Sequence, residues 1–136
     1  MGYRSEVRSC IYSDNHELFD SFIASRKLTD DVVFGEGDDS FVENLEYTKM
    51  EYKNTDGEVI QTIKILAMKG DDWKWYPEYD YVKAWEKLLS DAEDAGLNYE
   101  FCRVGEEDGD IEYDTGGSEV EHFIDTYTHI NVAYGD

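Results

Sequence analysis

The sequence predicts an α+β fold. The expected form is a ferredoxin-like β-α-β-β-α-β antiparallel sheet with two helices on one face, plus strand additions at the C-terminus. Three observations predict it. Two amphipathic helical stripes stand far apart in the chain, one near Phe19 and one near Trp85. Between them, two β-rich runs flank a tight Asp-Gly turn. After the second stripe, apolar and acidic residues alternate with a period of two, as a half-buried strand requires. A chain of 136 residues is long enough for a real core, and residues 1–136 are expected to form a single acidic domain.

The elements follow in order. "GYRSEVRSCIY" alternates, with Tyr3, Val7 and Ile11 on one face and Arg4, Glu6 and Arg8 on the other. It predicts a first strand with one wet side. "SDNHELFDSFIASRK" predicts a helix. Asp14 and Glu17 have capping-box spacing, and Leu18, Phe19, Phe22 and Ile23 form the apolar stripe. Arg26 and Lys27 suit the negative end of its dipole. Residues 28–40 read as a loop broken by Gly35 and Gly37, with a short strand at "VVF".

"FVENLEYTKMEYKNTDGEVIQTIKILAMKG" predicts a hairpin turning at Asp56-Gly57. Val59, Ile60, Ile63, Ile65 and Leu66 make its second strand the more apolar, hence central. The second helix lies within "DDWKWYPEYDYVKAWEKLLSDAEDAGL". Pro77 suits its first turn, Tyr81, Val82, Trp85, Leu88, Leu89 and Ala92 its apolar stripe, and Gly96 its C-terminal cap. "NYEFCRVGEEDGDIEYD" predicts strand, turn and strand. Ser118 and Glu121 repeat capping-box spacing, which places a short helix over 119–125. "THINVAY" alternates Ile130, Val132 and Tyr134 as a last strand.

Charge narrows the function. The chain carries 33 acidic and 12 basic residues, a formal net charge of −21. Residues 1–70 hold 14 acidic and 8 basic residues, whereas residues 71–136 hold 19 and 4. Such a field repels nucleic acid and anionic membranes and favours basic partners. An aromatic fraction of 15% argues against disorder. The polar start "MGYRSEVRSC" reads as a strand rather than a signal or lipidation segment, so a cytoplasmic location in a host cell, with Cys10 and Cys102 reduced, is the expectation.

The richest acidic run is Val104 to Glu121. Counted from Asp108, oxygen ligands fall at Asp110, Glu112 and Asp114, with Glu119 in the twelfth place, which echoes a calcium-binding EF-hand loop. Tyr113 occupies the place where that loop needs glycine, so neither a metal nor any other cofactor is expected. A strand explains the run better. Asp110, Glu112 and Asp114 then share one face and Ile111 and Tyr113 the other. Taken alone this is a solvated hairpin. Its same-face carboxylates would stand about 6.8 Å apart. That is roughly every second phosphate along one DNA strand. Such a row could compete for a basic groove.

Catalytic signatures are missing. The sequence has no HExxH, G-x-S-x-G or Walker A motif, and His16, His122 and His129 are its only histidines. No enzymatic activity is expected. "WKWYPEYDY" gathers Trp73, Trp75, Tyr76, Tyr79 and Tyr81, the residue types that anchor arginine-rich partners. Trp85 and one of Trp73 and Trp75 are expected in the core.

At "MGYRSEV" and "YEFCRVGEEDGDIE" the chain resembles a set of small phage-encoded proteins, in which a GYRS-acidic-V opening strand and a late F-x-R-hydrophobic-G-E segment recur around two helices. The resemblance covers Gly2–Val7 and Phe101–Glu107, and the element order between them. It implies a phage origin and a compact α+β fold, and it carries over no site residues. Small acidic phage proteins often inhibit host restriction or CRISPR nucleases.

The resulting expectation is a non-enzymatic inhibitor or interaction protein whose partner is a basic, nucleic-acid-binding host protein. Glu106, Glu107, Asp108, Asp110, Glu112 and Asp114 would form the binding surface, with Asp71, Asp72 and Glu119 in support. Two rival expectations stand beside it. One is a module, or a small enzyme, that sequesters a nucleotide signal in a pocket lined by Arg4, Arg8 and Arg103. The other is acidity that serves only solubility or salt adaptation.

Overall fold

The computed structural model describes residues 4–26, 45–76, 78–107, 109–117, 124–125 and 131–132. The elements are β1 (Ser5–Ser13), α1 (His16–Ser25), β2 (Leu45–Lys53), β3 (Val59–Trp73), α2 (Asp80–Asp94), β4 (Asn98–Gly105), β5 (Ile111–Gly116), β6 (Ile124–Asp125) and β7 (Asn131–Val132). Five strands form one sheet in the order β2-β3-β1-β4-β5, with every neighbouring pair antiparallel. The fold is therefore α+β. The fifth strand, added on β4, sets it apart from a plain four-stranded β-α-β-β-α-β sheet. β6 and β7 pair separately with each other.

Both helices pack on one face of the sheet. Phe19, Phe22 and Ile23 of α1 and Val82, Trp85, Leu88, Leu89 and Ala92 of α2 join one core cluster. Val7 and Ile11 of β1, Leu66 and Met68 of β3, and Tyr99 and Phe101 of β4 complete it. These stripe residues are thus buried as read from the sequence, Leu18 is partly buried, and the Tyr81 side chain lies outside the described residues. A fully buried Leu, Ile or Phe stabilises by about 1.5–3 kcal/mol, so this cluster dominates the stability. Trp75 and Trp85 are buried, as expected, and the Trp73 side chain lies outside the described residues. Tyr76 and Tyr79 are half-buried and stack edge to face at 5.1 Å.

The opposite face departs from expectation. The polar side of β1 was expected to be wet, yet Arg8, Cys10 and Tyr12 are buried there. Cys10 and Tyr12 join Ile63, Ile65 and Ala67 in a second cluster. β1 is the middle strand of five, so these side chains stand between same-face neighbours from β3 and β4. β3 is also inner, in keeping with its apolar run.

Several local expectations shift. The N-cap of α1 is Asn15, whose Oδ1 accepts the Leu18 N–H at 3.1 Å, rather than Asp14. Asp14 instead accepts from Gln61 Nε2 at 3.1 Å. α2 starts at Asp80 with Tyr79 as N-cap, later than a first turn at Pro77 would place it. Asp71 and Asp72 belong to the end of β3, not to the approach to α2. Gly96, at φ +95, closes α2 as expected, and the Leu97 N–H reaches back to the Ala92 carbonyl at 2.9 Å. The expected helix over 119–125 is replaced at its end by β6, and 118–123 lie outside the described residues. So do the expected loop over 28–40 with its "VVF" strand, Pro77, Lys27, and the ends of the last expected strand beyond β7. No helix among the described residues is long and apolar enough to cross a membrane.

Candidate functional site

The β4–β5 hairpin carries the acidic run, and its register decides where each carboxylate goes. Glu112 stands opposite Arg103, Asp114 opposite Phe101, and Gly116 opposite Tyr99. Phe101 and Tyr99 belong to the helix-side core, so Glu112 and Asp114 lie on the helix side of the sheet. Cys102 stands opposite Tyr113 and Val104 opposite Ile111 on the other face. The period-2 alternation is therefore present. Its apolar side is only half covered, for Ile111 and Tyr113 are 46% and 42% exposed. The turn is closed by the Gly105 N–H to the Asp110 carbonyl at 2.8 Å, with Gly109 at φ +82.

Internal partners take up part of the charge. Arg103 Nη2 and Nη1 donate to the two carboxylate oxygens of Asp110 at 2.8 and 3.3 Å. Its Nε donates to Glu112 Oε1 at 3.0 Å, and its Nη1 also reaches Ser5 Oγ at 3.1 Å. The Asp110 hydrogen bond raises the guanidinium pKa, burial opposes it, and Glu112 adds to the rise. Asp114 accepts the Tyr99 hydroxyl at 2.8 Å. Burial first, then that bond and the Asp114 and Glu93 charges, push the Tyr99 hydroxyl well above its ordinary value. Glu106 accepts the Arg4 backbone N–H. Glu107 is exposed in the turn.

Asp71 and Asp72 reach the same end of the sheet. Ser5 pairs with Trp73 on one side and Gly105 on the other, and a register shift sets Asp71 and Asp72 against Glu6. Their backbone thus lies two strand spacings, about 10 Å, from the strand that enters the acidic turn. Asp108 and Glu119 lie outside the described residues.

Sequence reasoning missed the other half of the site. Glu86, Leu89, Ser90 and Glu93 follow one another at helical spacing along α2 and form the wall facing β5. With Tyr99, Phe101, Glu112 and Asp114 they enclose an open groove of about 220 Å³. Burial and the Glu112 charge raise the Glu86 carboxyl pKa. Glu93 also accepts the Gly117 N–H at 3.3 Å, which ties the end of β5 to α2. The signal was in the sequence: acidic residues at i and i+7 flank Leu89 beside the apolar stripe. What they face depends on the strand order.

The arginine pocket of the rival expectation does not assemble from Arg8 and Arg103. Arg8 pairs with Cys102 and Arg103 with Val7, so the two side chains leave opposite faces of the sheet. Arg8 is buried and donates to the Val7 and Gly70 carbonyls at 3.0 and 3.4 Å. Among the described residues, no group of His, Cys, Asp and Glu is arranged to hold a metal ion. His16 Nε2 lies 2.7 Å from the Thr62 carbonyl oxygen. Cys10 and Cys102 are free and buried. Burial, then the Glu100 charge, pushes the Cys102 thiol up to about 11 and Cys10 upward as well.

The chain matches no protein-family model, no curated protein and no solved structure.

Proposed function

We propose that this protein is a binding protein without catalytic activity. It presents the helix-side carboxylates of the β4–β5 hairpin to a basic, nucleic-acid-binding groove of another protein, and blocks that groove as a charge mimic. The scaffold is a ferredoxin-like split β-α-β unit extended by β5, which carries the acidic row on an edge strand. One observation carries the reading. Glu112 and Asp114 share a face and continue across a groove into Glu86 and Glu93, so the negative charge spans two elements. Steering by such a face raises the association rate more than it raises affinity, and salt screens it.

The resemblance of the GYRSEV opening to phage-encoded proteins makes host nucleases of the restriction or CRISPR type the partner class to test first. The experiment is capture from host lysate with the wild-type chain and with an E106Q/E107Q/D110N/E112Q/D114N variant. The expected result is that the wild type retains a nucleic-acid-binding protein at low salt and releases it as salt rises, and that the variant fails to retain it. An identical set of captured proteins for both chains would overturn the proposal.

A further inference from the structure

We infer that the groove between α2 and the β4–β5 hairpin is the seat for a single arginine side chain of the partner. The inference rests on the proposed function and names the contact by which it would be made specific.

The size of the groove points first to a side chain. At about 220 Å³ and open on one side, it falls below the roughly 300–1,000 Å³ of small-molecule pockets. Its lining is mixed. Leu89, Phe101 and Tyr99 supply apolar and aromatic surface, while Glu86, Glu93, Glu112 and Asp114 stand on the two walls. An occupant therefore needs an apolar stem and a cationic head.

The wall geometry then selects the head. The carboxylates are divided between a helix and a strand, and they form no metal-holding group. A guanidinium is planar, carries delocalised charge over five N–H donors, stacks on aromatic faces and is weakly hydrated. Its several donors suit carboxylates on two elements, and its stem suits the edges of Leu89, Tyr99 and Phe101 that reach the groove. A lysine ammonium brings a point charge with a larger hydration cost.

The chain itself pairs guanidinium groups with carboxylates in two places. Arg103 already donates to Glu112 and Asp110 at the outer end of β5. Arg26 lies 5.1 Å over the Phe22 ring with Asp91 at 3.6 Å, so a guanidinium, a ring and a carboxylate come together at the end of α1. The raised Glu86 carboxyl marks negative charge that a bound cation would relieve.

The test is a chemical-shift titration of the intact chain with short glycine–serine peptides that differ only in a central arginine, lysine or citrulline. The arginine peptide is expected to give saturable shifts confined to α2, β4 and β5. Lysine should bind more weakly and citrulline not at all. E86Q/E93Q should weaken arginine binding by about tenfold, the size of one charge-assisted contact. E51Q/E58Q on the β2–β3 hairpin, which removes the same charge elsewhere, should leave it unchanged. Equal binding of citrulline, or equal effects of the two double variants, would overturn the seat. The E86Q/E93Q chain is then run in the capture experiment. Loss of the partner is expected. Retention of the partner by E86Q/E93Q, with loss by the hairpin-neutralised chain, overturns the arginine seat and leaves the charge-mimic reading in place. Retention by both overturns the charge-mimic reading itself.

Discussion

Arg103 and Asp110 form a two-point ion pair across the mouth of the β4–β5 hairpin, with both carboxylate oxygens of Asp110 engaged. The same guanidinium also holds Glu112. The acidic row is therefore not a set of loose charges. Strand pairing sets its register, Arg103 ties Asp110 and Glu112 together, and that has a measurable consequence.

R103M keeps the apolar stem and removes the fork. Asp110, Glu112 and the Ser5 hydroxyl then lose their shared donor, and the carboxylates repel one another. The pair is only partly buried, so the expected loss is about 1–2 kcal/mol. Urea unfolding should show that loss at low salt and a smaller one at high salt, because screening relieves the repulsion. A loss that does not change with salt would show that repulsion among the freed carboxylates does not carry the effect.

Tyr99 depends on Gly116. A Cβ at Gly116 would stand 2.2 Å from the Tyr99 ring, closer than any contact allows. G116A is expected to push the ring off Asp114 and to cost about 1–3 kcal/mol by overpacking. Y99F keeps the ring and loses only the hydroxyl contact, so it should cost about 0.5–1.5 kcal/mol. Thermal unfolding of the two variants should rank G116A as the more damaging.

Glu86 gives the fold a pH dependence of known sign. Its carboxyl pKa is raised above the ordinary 4.5 by burial and by Glu112. Around it stand Ser90 and Glu93 on α2, Tyr99 on β4, and Glu112 and Asp114 on β5, with Arg103 on Glu112. A carboxyl that holds its proton more tightly when folded costs stability once the pH climbs through its raised value. E86Q should therefore be the more stable chain near about pH 7, and the difference should vanish near about pH 3.5. Melting curves across that range check it, and a wild type more stable than E86Q at the upper end would contradict the assignment.

The thiols should be inert in the folded state. Cys10 and Cys102 are both buried with raised pKa values, and the thiolate is the reactive form. A thiol reagent at about pH 8 should label neither until denaturant is added. Rapid labelling of the native chain would place at least one of them at the surface.

Much of this arrangement was legible in the sequence, and the gaps share a cause. The stripes Phe19, Phe22, Ile23 and Val82, Trp85, Leu88, Leu89, Ala92 state their helical faces outright, because helix periodicity is local. The hairpin at Asp56-Gly57 and the alternation of Glu112, Tyr113 and Asp114 are local too. Burial of Arg8 and Tyr12 was not legible. It follows from the position of β1 between β3 and β4, which is a matter of long-range pairing. Asn15 rather than Asp14 caps α1, and Asp14 accepts instead from Gln61 of β3, a contact between distant segments that local spacing does not announce. The acidic hairpin was legible as a strand pair, but not that its carboxylates face α2. Nor was it legible that Arg103 clamps Asp110 and Glu112 on the face opposite Arg8. One residue of register separates those two outcomes.

The measurement that bears most directly on the central claim is displacement. The captured partner is loaded with labelled duplex DNA, and the intact protein is titrated in at low salt. The account predicts stoichiometric release of DNA by the wild-type chain. It also predicts no release by the hairpin-neutralised chain, and a steep loss of release as salt rises. A stable ternary complex, with the protein bound and the DNA still in place, would contradict it.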